Sequence, residues 1–401
     1  MRVSKCWVML MVLVCVPLLS HAAEVKLTSS TQYLWYQDLL VDQREQDVAQ
    51  YLRFNVTKID KEGKLNIYGY GRATKQITTS QDLQGRMYYF FVDYRDAFKE
   101  HLDVRAGRTY VNAAAASGTI DGAHVDLKNL GPLGVTVFGG RHVIFDDKEE
   151  TGTRGDALMG ASVYLDTIKN THVEVSYGRK YSDTDLARET VGLDFSTTPV
   201  RMANLYGRVK YDTTAETYNE VLFGAKVAPV RELVFRAEYY ESYPTFDIAS
   251  IYSIFAVDQY KEKSISAEYQ FHRNYRVSVK YAREDFGESA KGDLYQVGFL
   301  ARPVKDLTLN ATYEKRNGYA GQLSGLRLYG EYKIQKAAVL AGIDYDDFRR
   351  EASREGSAKK YWAGVNYEFT KIVSAVVRVE DNVNFTYDHS YQGYAALQIN
   401  Y

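Results

Sequence analysis

From Glu24 to Tyr401, apolar and polar residues alternate with a period of two in segments of about ten residues, the signature of strands with one face in contact with an apolar phase. Leu233, Phe235, Ala237 and Tyr239 oppose Glu232, Arg236 and Glu238, and Ile265, Ala267, Tyr269 and Phe271 oppose Ser264, Ser266, Glu268 and Gln270. The same beat runs through Tyr275–Tyr281, Leu307–Glu314, Leu326–Lys333 and Val373–Glu380. Tyrosines recur near the ends of the apolar faces, as at Tyr239, Tyr269, Tyr281, Tyr313 and Tyr332. An apolar ring carrying a wet hydroxyl suits a boundary between lipid and water, so these positions predict an aromatic girdle.

The connections between these segments alternate between tight and long. Tight ones are predicted at 61–63, 98–100, 129–132, 167–170, 196–199, 228–231, 272–275, 301–305, 333–337 and 369–371. Long ones are predicted at 37–48, 76–84, 145–155, 243–259, 286–290, 316–321, 348–357 and 381–388. Short turns on one side and polar loops on the other predict an all-β fold: a closed antiparallel transmembrane β-barrel of about 22 strands, within a range of 18 to 22, with its short turns in the periplasm and its longer loops outside the cell. Fixed-period sequence repeats, which a solenoid or propeller would show, are absent.

Composition and the N-terminal segment change the picture further. The 35 Tyr against 17 Phe and 3 Trp favour strands, and 50 basic against 51 acidic residues leave no polybasic face for nucleic acid. Residues 1–22 read as a cleaved signal peptide: Arg2 and Lys5, an apolar run from Cys6 to Leu19, then Ser20-His21-Ala22 ahead of the expected cut, which leaves residues 23–401 as one barrel domain. Both cysteines, Cys6 and Cys15, leave with it, so the mature chain is expected to hold neither a thiolate metal site nor covalently attached haem. After Ala23 no run of 18 apolar residues remains, which excludes a helical span and leaves a strand-built one open.

The last eleven residues, Tyr391 to Tyr401, place Gly393, Ala395, Leu397, Ile399 and Tyr401 on one face and finish on an aromatic ring. This end resembles the C-terminal signal that outer-membrane β-barrels of Gram-negative bacteria present to the barrel assembly machinery. The resemblance implies an outer-membrane porin embedded in outer-membrane lipid, with Leu397, Ile399 and Tyr401 as the assembly signal and a channel for passive diffusion of small solutes or ions as the function. More weakly, the chain resembles the porin component of porin–cytochrome conduits, which implies as the alternative a sheath around a multihaem cytochrome, with all haem on the partner.

Twenty-two strands close at a backbone diameter of roughly 40 to 45 Å, and inward side chains leave a bore on the order of 25 Å. Such a hole leaks unless something narrows it. Strand one is predicted to begin near the cleavage site, which leaves no room for an N-terminal plug. The loop from Tyr243 to Gln259 is the expected constriction, because Phe246, Ile248, Ile251, Ile254 and Phe255 are too apolar for a water-exposed loop. The predicted lumen face carries Arg72, Arg105, Arg236, Lys280, Arg327 and Arg378 together with Glu174, Glu238, Glu268, Glu314, Glu331 and Glu380, so neither sign dominates and cross-strand ion pairs are expected.

Catalysis and cofactors are not expected. The mature histidines, His101, His124, His142, His172, His272 and His389, lie on distant strands without metal-ligand spacing. Within the hairpin 118–143, residues whose numbers sum to about 262 should pair, which puts His124 opposite Phe138 and separates it from His142.

Overall fold

The computed structural model describes residues 23–38, 43–78, 82–145, 156–243, 259–287, 290–318, 321–350, 354–384 and 388–401. The predicted signal peptide and the predicted constriction residues Phe246, Ile248, Ile251, Ile254 and Phe255 lie outside the described residues. Among the described residues, no helix is long and apolar enough to cross a membrane.

Twenty-two antiparallel strands form one sheet in which each strand pairs with the next in sequence and the last pairs with the first. The strands run from β1 (Glu24–Asp38) and β2 (Gln43–Thr57) to β21 (Val373–Val383) and β22 (Ser390–Asn400). Closure is by reciprocal backbone bonds: Leu27 N–H donates to Tyr401 O at 2.7 Å, and Tyr401 N–H donates to Leu27 O at 2.8 Å. The predicted strand number and closed topology are therefore observed. Closure leaves no free sheet edge, as a strand-built span in hydrocarbon requires.

The register of β6 (Ser117–Leu130) on β7 (Leu133–His142) also follows the prediction, with His124 opposite Phe138 and His142 opposite Ile120. Two predicted features need correction. Several connections expected to be long are short, because their flanking strands continue: β2 begins at Gln43, β19 (Ala337–Arg350) ends at Arg350 and β20 (Arg354–Glu368) begins at Arg354. Polar residues there had suggested loops, but backbone pairing persists wherever a neighbouring strand offers partners, whatever the side chains. The turn expected at 196–199 falls later, since β10 (Asp185–Val200) runs through a register irregularity between Thr197 and Val200 before turning at Arg201.

One face of the sheet is predominantly apolar and accessible, including Val175, Leu193, Leu205, Val279, Val297, Ile343, Val365, Val377 and Leu397, with Ser29, Thr31 and Gln50 as a small hydrogen-bonded polar patch on β1 and β2. In a closed barrel this set can only be the outward face. Tyrosines bound it on both sides. Tyr281, Tyr313 and Tyr345 lie toward the loop end, and Tyr269, Tyr332, Tyr367 and Tyr401 toward the turn end, all of them exposed except the half-buried Tyr281. Just beyond the loop-side tyrosines, outward charges begin, as in the Arg283–Asp293 pair at 2.6 Å. Apolar belt, aromatic rings, then charge is the profile that a bilayer imposes on a barrel.

Candidate functional site: the lumen and an inward hairpin

The lumen is narrowed by a part of the wall itself. Strand β4 (Gln84–Asp96) pairs with β5 (Leu102–Asn112) only through Phe90–Tyr94 against Val104–Arg108, although both strands continue toward the loop end. Beyond that point β5 leaves β4 and stays paired with β6 out to Asn112 opposite Ser117. The departure is at Gly107, whose φ of 125° is closed to ordinary side chains; a Cβ there would stand 2.3 Å from the Phe90 carbonyl oxygen.

The tip of this hairpin, Ala113–Ala116, reaches β9 (Thr171–Ser182) and β10, three and four places further round the wall. Ala115 N–H donates to Ser176 Oγ at 2.8 Å, and Thr190 Oγ1 donates to Ala115 O at 2.5 Å. Ser176 and Thr190 alternate with the outward Val175, Tyr177 and Val191, so the tip rests on the lumen side. Small residues make the approach possible: a Cβ on Gly192 would lie 2.4 Å from Ala115 N, and four consecutive alanines add little bulk from the other side.

The underside of the hairpin is a small apolar core inside the barrel. Val111, Ala116 and Ile120 pack with Phe138 of β7 and Leu158 of β8 (Ala157–Leu165), and Ile120 is 0% exposed. Burial of these chains contributes about 1.5–3 kcal/mol each for the larger ones, enough to hold the hairpin down against its own opening. The other face carries Arg108, Tyr110 and Asp121. Arg108 is 6% exposed; its Nε and Nη2 donate to the two Asp121 carboxylate oxygens at 2.7 and 2.8 Å, and its Nη1 donates to Met87 O at 2.9 Å. The fork geometry fixes the guanidinium and cancels its charge where the hairpin enters the bore. Tyr110 is 58% exposed on the same face.

All twelve predicted lumen charges lie on the face opposite the apolar belt, and most are brought into pairs. Lys280 meets Glu262 at 3.0 Å, Arg327 meets Asp346 at 3.0 Å, and Arg378 meets Glu380 at 3.2 Å while its guanidinium lies 4.2 Å from the centre of the Trp362 ring. Arg105 meets Asp93 at 3.5 Å, Glu268 meets Arg276 at 3.3 Å, Glu331 meets Lys333 at 3.5 Å, and Glu174 lies 3.9 Å from His172. Glu238 accepts a hydrogen bond from the Tyr206 hydroxyl. Arg72 faces Tyr51 and Arg86 in the register. Arg236 and Glu314 form no ion pair among the described residues. The wall is therefore a mosaic of neutralised pairs, each partly exposed to water and individually weak.

Sequence reasoning missed the hairpin because Val111, Ile120, Phe138 and Leu158 announce that they are buried but not on which side of the wall. Gly107 and the run Ala113–Ala116 were the available signals: a bend, followed by a segment without bulk. Among the described residues no group of three or more His, Cys, Asp or Glu is placed to hold a metal ion.

A closed, 22-stranded antiparallel barrel with an outward apolar belt defines the class of transmembrane β-barrel folds. The solved structures agree. OpdO of Pseudomonas aeruginosa aligns over 96% of this chain and 98% of its own at 9% identity, with a TM-score of 0.51. A BenF-like porin of Pseudomonas fluorescens Pf-5 aligns over 96% and 99% at 10% identity with a TM-score of 0.50, and OccK5 (OpdH) of P. aeruginosa over 95% and 98% at 9% identity with a TM-score of 0.50. At these identities the likeness is one of fold. No family model matches the chain, and no curated protein matches it in sequence.

Proposed function

We propose that the chain is a porin of the Gram-negative outer membrane, a passive channel for small solutes or ions, with its short turns in the periplasm and the β5–β6 hairpin as its constriction. The hairpin carries this reading. A barrel of this strand number without a filler would leak, and a segment of wall folded onto β9 and β10 reduces the bore while leaving the rest of the lumen lined by hydrated, paired charge. A hairpin in the bore would collide with a folded haem protein, which favours the pore over a cytochrome sheath. Weak selectivity between cations and anions follows from the pairing, because a ring of one sign is what selects.

Liposome swelling tests this. Proteoliposomes of the purified chain should swell in small sugars and amino acids and cease to swell as solute size grows. Swelling indistinguishable from protein-free liposomes for every solute would refute the channel.

A further inference from the structure

The outward surface is not uniformly convex. From β10 across β11 (Ala203–Asp212) to β16 (Lys291–Ala301) it holds two contiguous grooves of about 740 and 600 Å³, which share Ala225, Ala237, Ile265 and Tyr281. Ala225 and Ala237 face each other across β12 (Thr217–Val230) and β13 (Leu233–Ser242) and form the floor. Phe223, Phe235, Ile265 and Tyr281 rise around them, so the depth comes from alanine beside large side chains. At the loop-side end of the groove stand Lys263 and Arg283, opposite one another on β14 (Tyr260–His272) and β15 (Tyr275–Asp285).

The acidic neighbours compensate Arg283 but not Lys263. Glu241 is engaged by Lys261 at 3.8 Å, and Asp293 by Arg283 at 2.6 Å. Lys263 is exposed and forms no ion pair among the described residues. It sits at the level of Tyr239 and just past Tyr281, where the belt meets water.

We infer that this groove binds a single phosphorylated, acylated lipid of the outer leaflet, an acyl chain lying over Ala225 and Ala237 and the phosphate on Lys263 with the remaining donors of Arg283. Charge complementarity commits the groove to this occupant. An apolar trough alone would take any lipid tail, whereas Lys263, a cation without a counter-charge among the described residues at its interfacial end, favours an anionic headgroup. The inference requires the barrel to stand in a bilayer but not that it conducts, so failure of lipid binding and failure of the channel are separable results.

Native mass spectrometry of the full barrel in neutral detergent, with phosphatidic acid as the probe and phosphatidylcholine as the control, tests it. One retained phosphatidic acid per barrel is expected. Binding should weaken about five-fold in Lys263→Gln, as the loss of one interfacial cation predicts, and at least as much in Arg283→Gln, which also leaves Asp293 uncompensated beside the headgroup. Ala237→Phe should fill the floor and weaken binding with both cations intact. Excess inorganic phosphate should leave the adduct in place, and the conductance of all variants should be unchanged. Each variant is scored after its heat-modifiable gel shift is confirmed, and the two charge variants, at exposed positions, decide the matter if Ala237→Phe does not fold. Equal retention of phosphatidylcholine, undiminished binding by the charge variants, displacement by inorganic phosphate, or barrel dimers in place of lipid adducts would each overturn the proposal.

Discussion

Ala115 donates its backbone N–H to the hydroxyl of Ser176, 61 positions away in sequence, at 2.8 Å. That bond joins the tip of the β5–β6 hairpin to the lumen face of β9, and with the Thr190 bond to the Ala115 carbonyl it is where the constriction is seated. If the seat fixes the pore size, disturbing it should enlarge the pore without unfolding the barrel. Gly192→Leu places carbon within the Ala115 backbone and should lift the tip. Single-channel conductance should then rise, by up to about twofold where the constriction dominates the series resistance. Ser176→Ala removes the hydroxyl that accepts from Ala115 N–H and donates to Gly192 O, bonds worth about 1 kcal/mol each at most, and should have a smaller effect of the same sign. Unchanged conductance in a folded Gly192→Leu barrel would place the constriction elsewhere.

The bend at Gly107 makes a separate demand. Its φ of 125° and the proximity of the Phe90 carbonyl leave no room for a side chain. Gly107→Val should cost about 1–3 kcal/mol from backbone conformation alone, with a clash added. The readout is the temperature at which the folded, heat-modifiable band is lost on a gel, which should fall clearly below that of the parent; an equal temperature would show that the bend tolerates a side chain.

Arg108 and Asp121 test the electrostatics of the constriction. Asp121→Asn leaves a nearly buried guanidinium without its counter-charge, which should destabilise the barrel by about 3 kcal/mol. The uncancelled positive charge at the hairpin should also shift the zero-current potential in a salt gradient toward anion preference. Arg108→Gln together with Asp121→Asn should restore near-neutral selectivity. A single variant that shifts neither stability nor selectivity would remove Arg108 from the pore.

At the turn end, Asp60 Oδ1 accepts backbone N–H bonds from Lys64 at 2.7 Å and Leu65 at 2.8 Å. The Leu65 bond first, and the other backbone N–H groups with it, hold the Asp60 carboxyl below the usual aspartate range. A depressed folded-state value means that the contribution to stability is fully present above the ordinary aspartate range and is lost as pH falls through the lowered value. Hydrogen exchange at the Lys64 and Leu65 amides should therefore show protection that weakens only in acid. In Asp60→Asn that acid step should vanish; a step that persists would point to another group.

The resemblance of the C-terminus to an assembly signal gives a cellular prediction. Leu397, Ile399 and Tyr401 face outward, and Tyr401 closes the barrel against Leu27. Tyr401→Ala should reduce the folded protein in outer-membrane fractions and raise the protease-sensitive fraction in the periplasm, while the purified chain refolds in detergent. Normal cellular assembly of this variant would take the terminal ring out of the signal.

Alternation with a period of two carried almost the whole architecture, because the difference between lipid and water is imposed residue by residue along each strand. It also reached the detail of His124 opposite Phe138, since a tight turn fixes the register of its hairpin. The constriction was not legible in the same way. Gly107 and Ala113–Ala116 read as an ordinary bend and small loop, and Phe138 reads as one more apolar strand residue; only the meeting of distant strands shows that they form a core inside the bore. The twelve predicted charges lie on the face opposite the apolar belt. Their partners, such as Asp346 for Arg327 and Glu262 for Lys280, depend on side chains reaching diagonally between strands, which periodicity does not encode.

The central claim, that this barrel is by itself a constricted diffusion pore, is tested most directly by conductance in planar lipid bilayers. The isolated chain should insert in discrete steps of uniform, long-lived conductance, with little preference between cations and anions and a larger step for Gly192→Leu. A correctly folded barrel that inserts without conducting would contradict it.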